Sequence, residues 1–377
     1  LSVHTDFEGA SAEIVEVDTA AQTIRLKPGG DPDRGWPVWW YVRVDGIAPG
    51  SDVTIVVQNP EMGDWARPRR ATYSLDRRTW RHTAPGTTKG KSISYTQTIP
   101  ARQAWFAWGP PFVPTDGSDL VHRLARRCAG AEAFVLTHSP EGRPIPALRS
   151  RCGDTPTEDR PVVWIQARQH AWESGSSWVG RGFAEWLMGN DPAAQRLRAA
   201  AEIVFVPVMD VDNAATGNGG KNQTPHDHNR DWTDDPVHPA VAAAQKKLRA
   251  YARDDRLSLF VDLHNPSFAD DSTFVFTPPF NRMDAPTRKA FRRFIATNAE
   301  YIQSPIPFTP DPREMGPDYG DRWDAISNHW VVQHSPEGVV GLTLETPWNT
   351  RHSTTDGYMV VGRQLGQAIA TCITNGS

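Results

Sequence analysis

The sequence has only three cysteines in 377 residues, seven lysines among 40 basic residues, and a formal charge of −4. Each shortage removes a class of function. Cys128, Cys152 and Cys372 cannot form a zinc ribbon, which needs four ligands at tight spacing. A Cys128–Cys152 disulfide is compatible with an exported protein, and Cys372 is then left over. The near balance of 40 basic against 44 acidic residues gives no global pull toward nucleic acid or anionic membrane. The arginines are scattered, with no long basic block. No apolar run approaches the roughly 18 residues that a membrane-spanning helix needs. The strongest run, 203–209, has only the length of a strand. No signal peptide is visible, and the first residue is Leu1 rather than Met. The expectation is a removed or uncloned export signal, with a periplasmic or secreted location favoured over a cytoplasmic one.

What the sequence does have is a globular composition with 15 tryptophans and 32 prolines. So many tryptophans imply large aromatic cores, or a cleft that grips sugars or peptides. The length favours two domains. Before about residue 120 the apolar residues fall in short alternating runs, at 14–17, 23–26, 38–44, 53–58, 92–97 and 104–108. Gly, Pro and Asp clusters separate them, for example over 27–35 and 110–119, which is the pattern of a β-sandwich. After about 125 the period switches between strand and helix. Buried strands are expected at 162–167, 202–209, 257–263, 273–277 and 339–344, and helices at 176–188, 237–253, 286–301 and 355–373. The expected fold class is therefore α/β, with an antiparallel sandwich over residues 1–122 and a mixed-sheet α/β/α domain over 123–377.

In such a domain the chemistry belongs at the C-terminal strand edges. The run 162–167 leads into His170 and Glu173, the run 257–263 into His264, and the run 339–344 into Glu345. Two imidazoles and a carboxylate leave one open position on a tetrahedral zinc, the catalytic arrangement, and a further carboxylate can act as general base. The bare His-x-x-Glu pattern carries little weight, because His138/Glu141 and His334/Glu337 share it. Those two read His-Ser-Pro-Glu-Gly, a turn signal with no buried strand before it. The cluster His226-Asp227-His228 could also bind metal, but its irregular polar segment favours solvated or supporting roles.

The segment Arg168-Gln169-His170-Ala171-Trp172-Glu173, with Ser174-Gly175-Ser176-Ser177-Trp178 after it, resembles the zinc motif of the M14 metallocarboxypeptidases, in particular the bacterial-type cytosolic carboxypeptidase subfamily. The segments 206–212, 227–232, 261–264 and 342–346 resemble the later motifs of that family, in order and approximate spacing. Residues 39–44 and 105–111 resemble the sandwich that precedes its catalytic domain. The resemblance implies one zinc per chain, held by His170, Glu173 and His264. Glu345 would take a proton from a water at the metal and later return it to the leaving amine. Asn229 and Arg230 would hold the terminal carboxylate of a peptide or peptide-like substrate.

One departure stands out. Where the subfamily usually carries an oxyanion-stabilising arginine, the sequence reads Thr216-Gly217-Asn218-Gly219-Gly220-Lys221. Lys221 would supply a point charge in its place; otherwise zinc and backbone donors would suffice, or Arg168 or a later arginine would substitute. For the tyrosine that closes over the substrate, Tyr319 in a glycine-flanked segment is the candidate, with a structural role as the alternative. Specificity would come from residues between 268 and 330, and Trp172, Trp232 and Trp348 would border the cleft. Three functions remain open: a metallocarboxypeptidase, a zinc deacylase, amidase or esterase, and a binding protein with a vestigial site.

Overall fold

The computed structural model describes residues 1–30, 35–59, 62–153 and 156–374. The turn cluster read over 27–35, and the last residues of the second expected domain, lie partly outside them. Two five-stranded sheets form the N-terminal part. One is ordered β1 (Ser2–His4), β4 (Tyr41–Asp45), β10 (Gln103–Ala107), β6 (Thr72–Ser74), β7 (Arg81–His82). The other is ordered β2 (Glu13–Asp18), β3 (Thr23–Lys27), β5 (Ser51–Gln58), β9 (Ser92–Ile99), β8 (Thr87–Lys89). All described pairs are antiparallel except β3–β5. Alternation sets the inner faces, as in β3, where Ile24 and Leu26 are buried between half-buried polar neighbours. Trp40 and Tyr95 meet in the core with ring centroids 6.1 Å apart.

The second part is an eight-stranded mixed sheet ordered β11 (Ala131–His138), β12 (Pro144–Ser150), β14 (Glu202–Val206), β13 (Val162–Ala167), β15 (Leu257–His264), β18 (Val340–Glu345), β16 (Phe274–Thr277), β17 (Arg313–Glu314). Its centre, β14-β13-β15-β18, is parallel. These four strands are buried along their length except at Ser258, as expected where helices cover both faces. The helices α2 (Ser174–Leu187), α3 (Pro192–Ala200), α6 (Ala285–Tyr301) and α8 (Thr355–Thr374) pack as one layer. The helices α5 (Pro239–Arg253) and α7 (Ser327–Gln333) contact the sheet outside that layer. The α2–α8 crossing depends on Gly182 and Gly362, where an added Cβ would overlap the carbonyls of Met359 and Val179.

Two points of the sequence reading need revision. Residue 122 falls inside helix α1 (Pro114–Ala125), which packs on β11 and β12, so the division is better drawn in the 108–113 linker. The hairpin β11–β12 was not anticipated, because β11 is an edge strand whose half-exposed side chains break the buried-run signal. His138 is the last residue of this largely exposed strand, so no buried strand precedes it, in keeping with the sequence reading. Cys128 and Cys152 are joined, and Cys372 is free.

Candidate active site

Register builds the first half of the site. In the parallel β15–β18 pair, His264 lies directly opposite Glu345, while β13 ends at Ala167 opposite Leu263. Beyond β13 the chain turns sharply at Arg168 (φ +68°), and the 168–173 segment brings His170 and Glu173 to the same edge. Helix α2 starts directly after Glu173, so its first turn fixes that residue, with Ser176 Oγ donating to the Glu173 carbonyl at 2.7 Å.

The side chains converge. Glu173 Oε1 is 2.7 Å from His170 Nδ1, and Glu173 Oε2 is 2.7 Å from His264 Nδ1. One ligand-type atom from each of the three lies within 4.8 Å of the others, and all three residues are buried. The opposite ring nitrogens face carboxylates. His170 Nε2 is 3.2 Å from Asp227 Oδ1, and His264 Nε2 is 3.1 Å from Asp262 Oδ2. If each Nε2–H is donated outward, both Nδ1 lone pairs are free to bind a cation, with Asp227 and Asp262 as the outer partners. The donor set therefore fits a zinc ion. Burial alone would raise the Glu173 carboxyl, but the His170 and His264 charges hold it well below the usual range. It is ready to ligate as a carboxylate.

Several supports could not be read from sequence. Asn265 donates its backbone N–H to Glu173 Oε2 (3.1 Å), accepts from Ser176 N (3.0 Å) and donates to the Thr346 carbonyl (2.5 Å). It thus ties three strand ends together. Asp262 also accepts from Ser327 Oγ and from the Gln169 amide, whose oxygen accepts from the Trp232 indole. The only signal for Asp262 was its place two residues before His264, on the same face of the strand.

Glu345 is buried, and its Oε2 has no hydrogen-bond partner among the described residues. Burial first, and then the Glu173 and Asp262 charges, push its carboxyl up to about 8, against the pull of His264 and Lys221. Lys221 reaches the same cleft, with Nζ 3.1 Å from His170 Nε2 and 3.8 Å from Asp227 Oδ2. Burial lowers its ammonium pKa, partly offset by Asp227. Arg168 does not serve the cleft. It is buried and donates to the carbonyls of Ala171 and Phe112, so it braces the interdomain linker instead.

Asn229 and Arg230 sit on a short turn, His228–Arg230. Asn229 Oδ1 accepts from Ser327 N at 3.1 Å, while the Arg230 guanidinium lies 5.6 Å from the centre of the Tyr319 ring. The turn is braced by a cluster of His226, Asp231 and His238, whose ligand-type atoms lie within 4.8 Å of one another. Asp231 accepts from the backbone of Val237 and His238 and lies 2.6 Å from His226 Nε2, while His238 Nε2 donates to the His226 carbonyl. His228 is buried and stacked on His238 at 3.9 Å.

These groups line a cleft of about 330 Å³. His170, Glu173, His264, Glu345, Lys221, Asn229, Arg230 and Tyr319 all face it. Asp270, Phe274, Phe276, Arg313 and Met315 come from the segment expected to hold specificity residues. Of the three tryptophans expected at the border, only Trp172 lines the cleft. Trp348 packs behind it against Trp108, 4.5 Å away, and Trp232 is buried against Phe260 and Trp330. Two tryptophans that were not anticipated, Trp36 and Trp65, reach the cleft from the sandwich.

Comparison with known proteins agrees with this geometry. A family model described as zinc carboxypeptidase matches residues 119–267, and one described as cytosolic carboxypeptidase N-terminal domain matches residues 3–108. An uncharacterised protein of Zymomonas mobilis is 26% identical over 92% of this chain and 83% of its own length. Human cytosolic carboxypeptidase 1 is 36% identical over 112 residues, which cover 29% of this chain but only 9% of the human protein. The crystal structure of a metallo-carboxypeptidase from Burkholderia cenocepacia superposes with a TM-score of 0.83 at 22% identity, covering 100% and 99% of the two chains. A Pseudomonas aeruginosa metallo-carboxypeptidase, solved with (2-guanidinoethylmercapto)succinic acid, gives 0.81 at 21% identity, covering 98% of each. The chain belongs to the M14 zinc carboxypeptidase family and carries the cytosolic carboxypeptidase N-terminal domain.

Proposed function

We propose that the chain removes residues from the carboxyl end of peptides, with His170, Glu173 and His264 holding zinc and Glu345 as general base. The observation that carries this reading is the register pairing of His264 with Glu345. It puts a carboxylate with a free oxygen beside the metal-binding triad and within the same cleft as Arg230. When bound, zinc lowers the pKa of a water to about 7 and polarises the scissile carbonyl.

The protein groups divide the remaining work. Glu345 accepts the proton of the attacking water and delivers it to the leaving amine, and burial of its carboxyl raises its basicity. Arg230 offers two parallel N–H donors to the terminal carboxylate, and Asn229 supplies an amide beside it. Lys221 provides positive charge for the developing oxyanion. Its ammonium stands 3.1 Å from His170 Nε2 and lines the cleft, within reach of an oxyanion formed there. Tyr319, 41% exposed on a turn between Gly316 and Gly320, covers the clamp from outside.

A zinc amidase or deacylase is the second reading, favoured by a lysine in place of the usual arginine. Matched peptides with free and amidated carboxyl ends separate the two. We expect cleavage of the free forms alone, and Arg230→Ala should raise KM for them. Equal cleavage of both forms would remove the carboxypeptidase reading. We also place the protein in an oxidising compartment, which the Cys128–Cys152 disulfide supports. Thiol titration should find one free sulfhydryl per denatured chain, that of Cys372.

A further inference from the structure

We infer that the N-terminal sandwich forms part of the substrate site. Trp36 and Trp65 would make a rigid aromatic wall for an apolar, preferably aromatic, side chain immediately upstream of the scissile bond. The inference rests on the carboxypeptidase reading and deepens it.

Three observations support it. First, both indoles are half-buried and line the cleft, meeting edge to face with centroids 4.9 Å apart and an interplanar angle of 72°. Such a corner presents flat apolar surface, which suits an aromatic partner. Second, the corner is fixed in place. The buried Asn59 side chain donates to the Pro37 carbonyl (3.3 Å) and accepts from Met62 N (3.0 Å), tying together the two loops that carry the tryptophans. Trp36 N donates to the Lys221 carbonyl at 3.0 Å, and a Cβ on Gly219 would overlap the Trp36 carbonyl. The sandwich loop and the Lys221 loop therefore sit backbone on backbone, with no room for a side chain between them.

Third, the polarity of the cleft assigns the side. Arg230 packs toward Tyr319, which in turn meets Phe276 at 5.3 Å, so the terminal residue enters at that end. The tryptophans are attached instead to the Lys221 loop, through the Trp36 N–H and the Lys221 carbonyl, and the Lys221 ammonium lies beside His170. A peptide with its carboxylate on Arg230 and its last amide at the metal continues past Lys221 and meets Trp36 and Trp65. Apolar walls of this size discriminate side chains by roughly 10-fold or more.

The test uses the full zinc-loaded chain and N-blocked dipeptides with one common C-terminal residue and Phe, Glu or Gly before it. We expect wild-type kcat/KM to favour Phe over Gly and Glu by about 10-fold. In Trp65→Ala that ratio should fall to about 2-fold, and Trp36→Ala should lower it in the same direction. The ratio is independent of the fraction of active enzyme, so partial misfolding cannot mimic the effect. Thermal melts and zinc content identify any variant that loses its fold. A Phe preference that survives in both variants overturns the inference, as does a wild type that favours Glu or Gly. Turnover without a preference at that position defeats this inference alone. No turnover of any free-carboxylate peptide defeats the underlying reading, and this one with it.

Discussion

His170, Glu173, His264 and Glu345 stand at or just beyond the ends of hydrogen-bonded parallel strands, whereas Lys221, Asn229 and Arg230 stand on a segment, 217–231, with one short turn as its regular structure. The two regions share one cleft but are held by different means. In the first, the backbone ladder sets position to within a residue, since a slip of one would turn His264 and Glu345 to the other face. In the second, position depends on side chains that bond to backbone: Asp227 to Asn222, Asp231 to Val237 and His238, and Asn229 to Ser327. The strand edge is therefore a rigid metal platform, and the loop is a set of charges that another fragment of chain must brace. Part of that bracing comes from the sandwich, through Trp36 to Lys221.

Substitutions can break the comparison on either side. The largest effect is expected from Glu345→Gln, which removes the base but leaves the three metal ligands untouched. Turnover should fall by about 10²–10⁴-fold while zinc content stays at one per chain. Undiminished kcat would move the base elsewhere. On the loop side, Lys221→Ala should lower kcat by about 10²–10³-fold with little change in zinc content. If kcat does not move, backbone donors and the metal stabilise the oxyanion unaided.

A smaller effect is expected from Asp262→Asn, which weakens the outer partner of His264. Zinc affinity should drop by about 10–100-fold in a chelator competition, because an amide orients the imidazole less firmly. An unchanged affinity would mean that the strand register alone holds His264. The smallest is expected from Gly362→Ala at the α2–α8 crossing, where the new methyl meets the Val179 carbonyl. A loss of about 1–3 kcal/mol in urea unfolding is expected, with metal stoichiometry retained. Loss of zinc instead would show that the α2 start, and with it Glu173, depends on that crossing.

The sequence by itself determined the four central parallel strands of the catalytic sheet, with β16 beside them, and the residues at their ends. A buried parallel strand reads as a continuous apolar run, and a functional group at its end needs no further coordinate to be located. Six of the ten described sandwich strands were legible for a similar reason, through alternation and turn residues, while β1, β6, β7 and β8, of two or three residues each, are too short to show a period. Tertiary structure alone decided the rest. Asp262 and Asn265 are ordinary polar residues until folding sets them against His264 and Glu173, and only folding shows that Asp227 of the 226–228 cluster meets His170. Arg168 stood as a candidate for the cleft until its guanidinium proved to be spent on two carbonyls. Trp36 and Trp65 lie more than a hundred residues before the zinc motif, and no local pattern can announce a contact across that distance. Periodicity reports how a segment meets its own neighbours in an element; which distant surface it then meets depends on how the two domains pack.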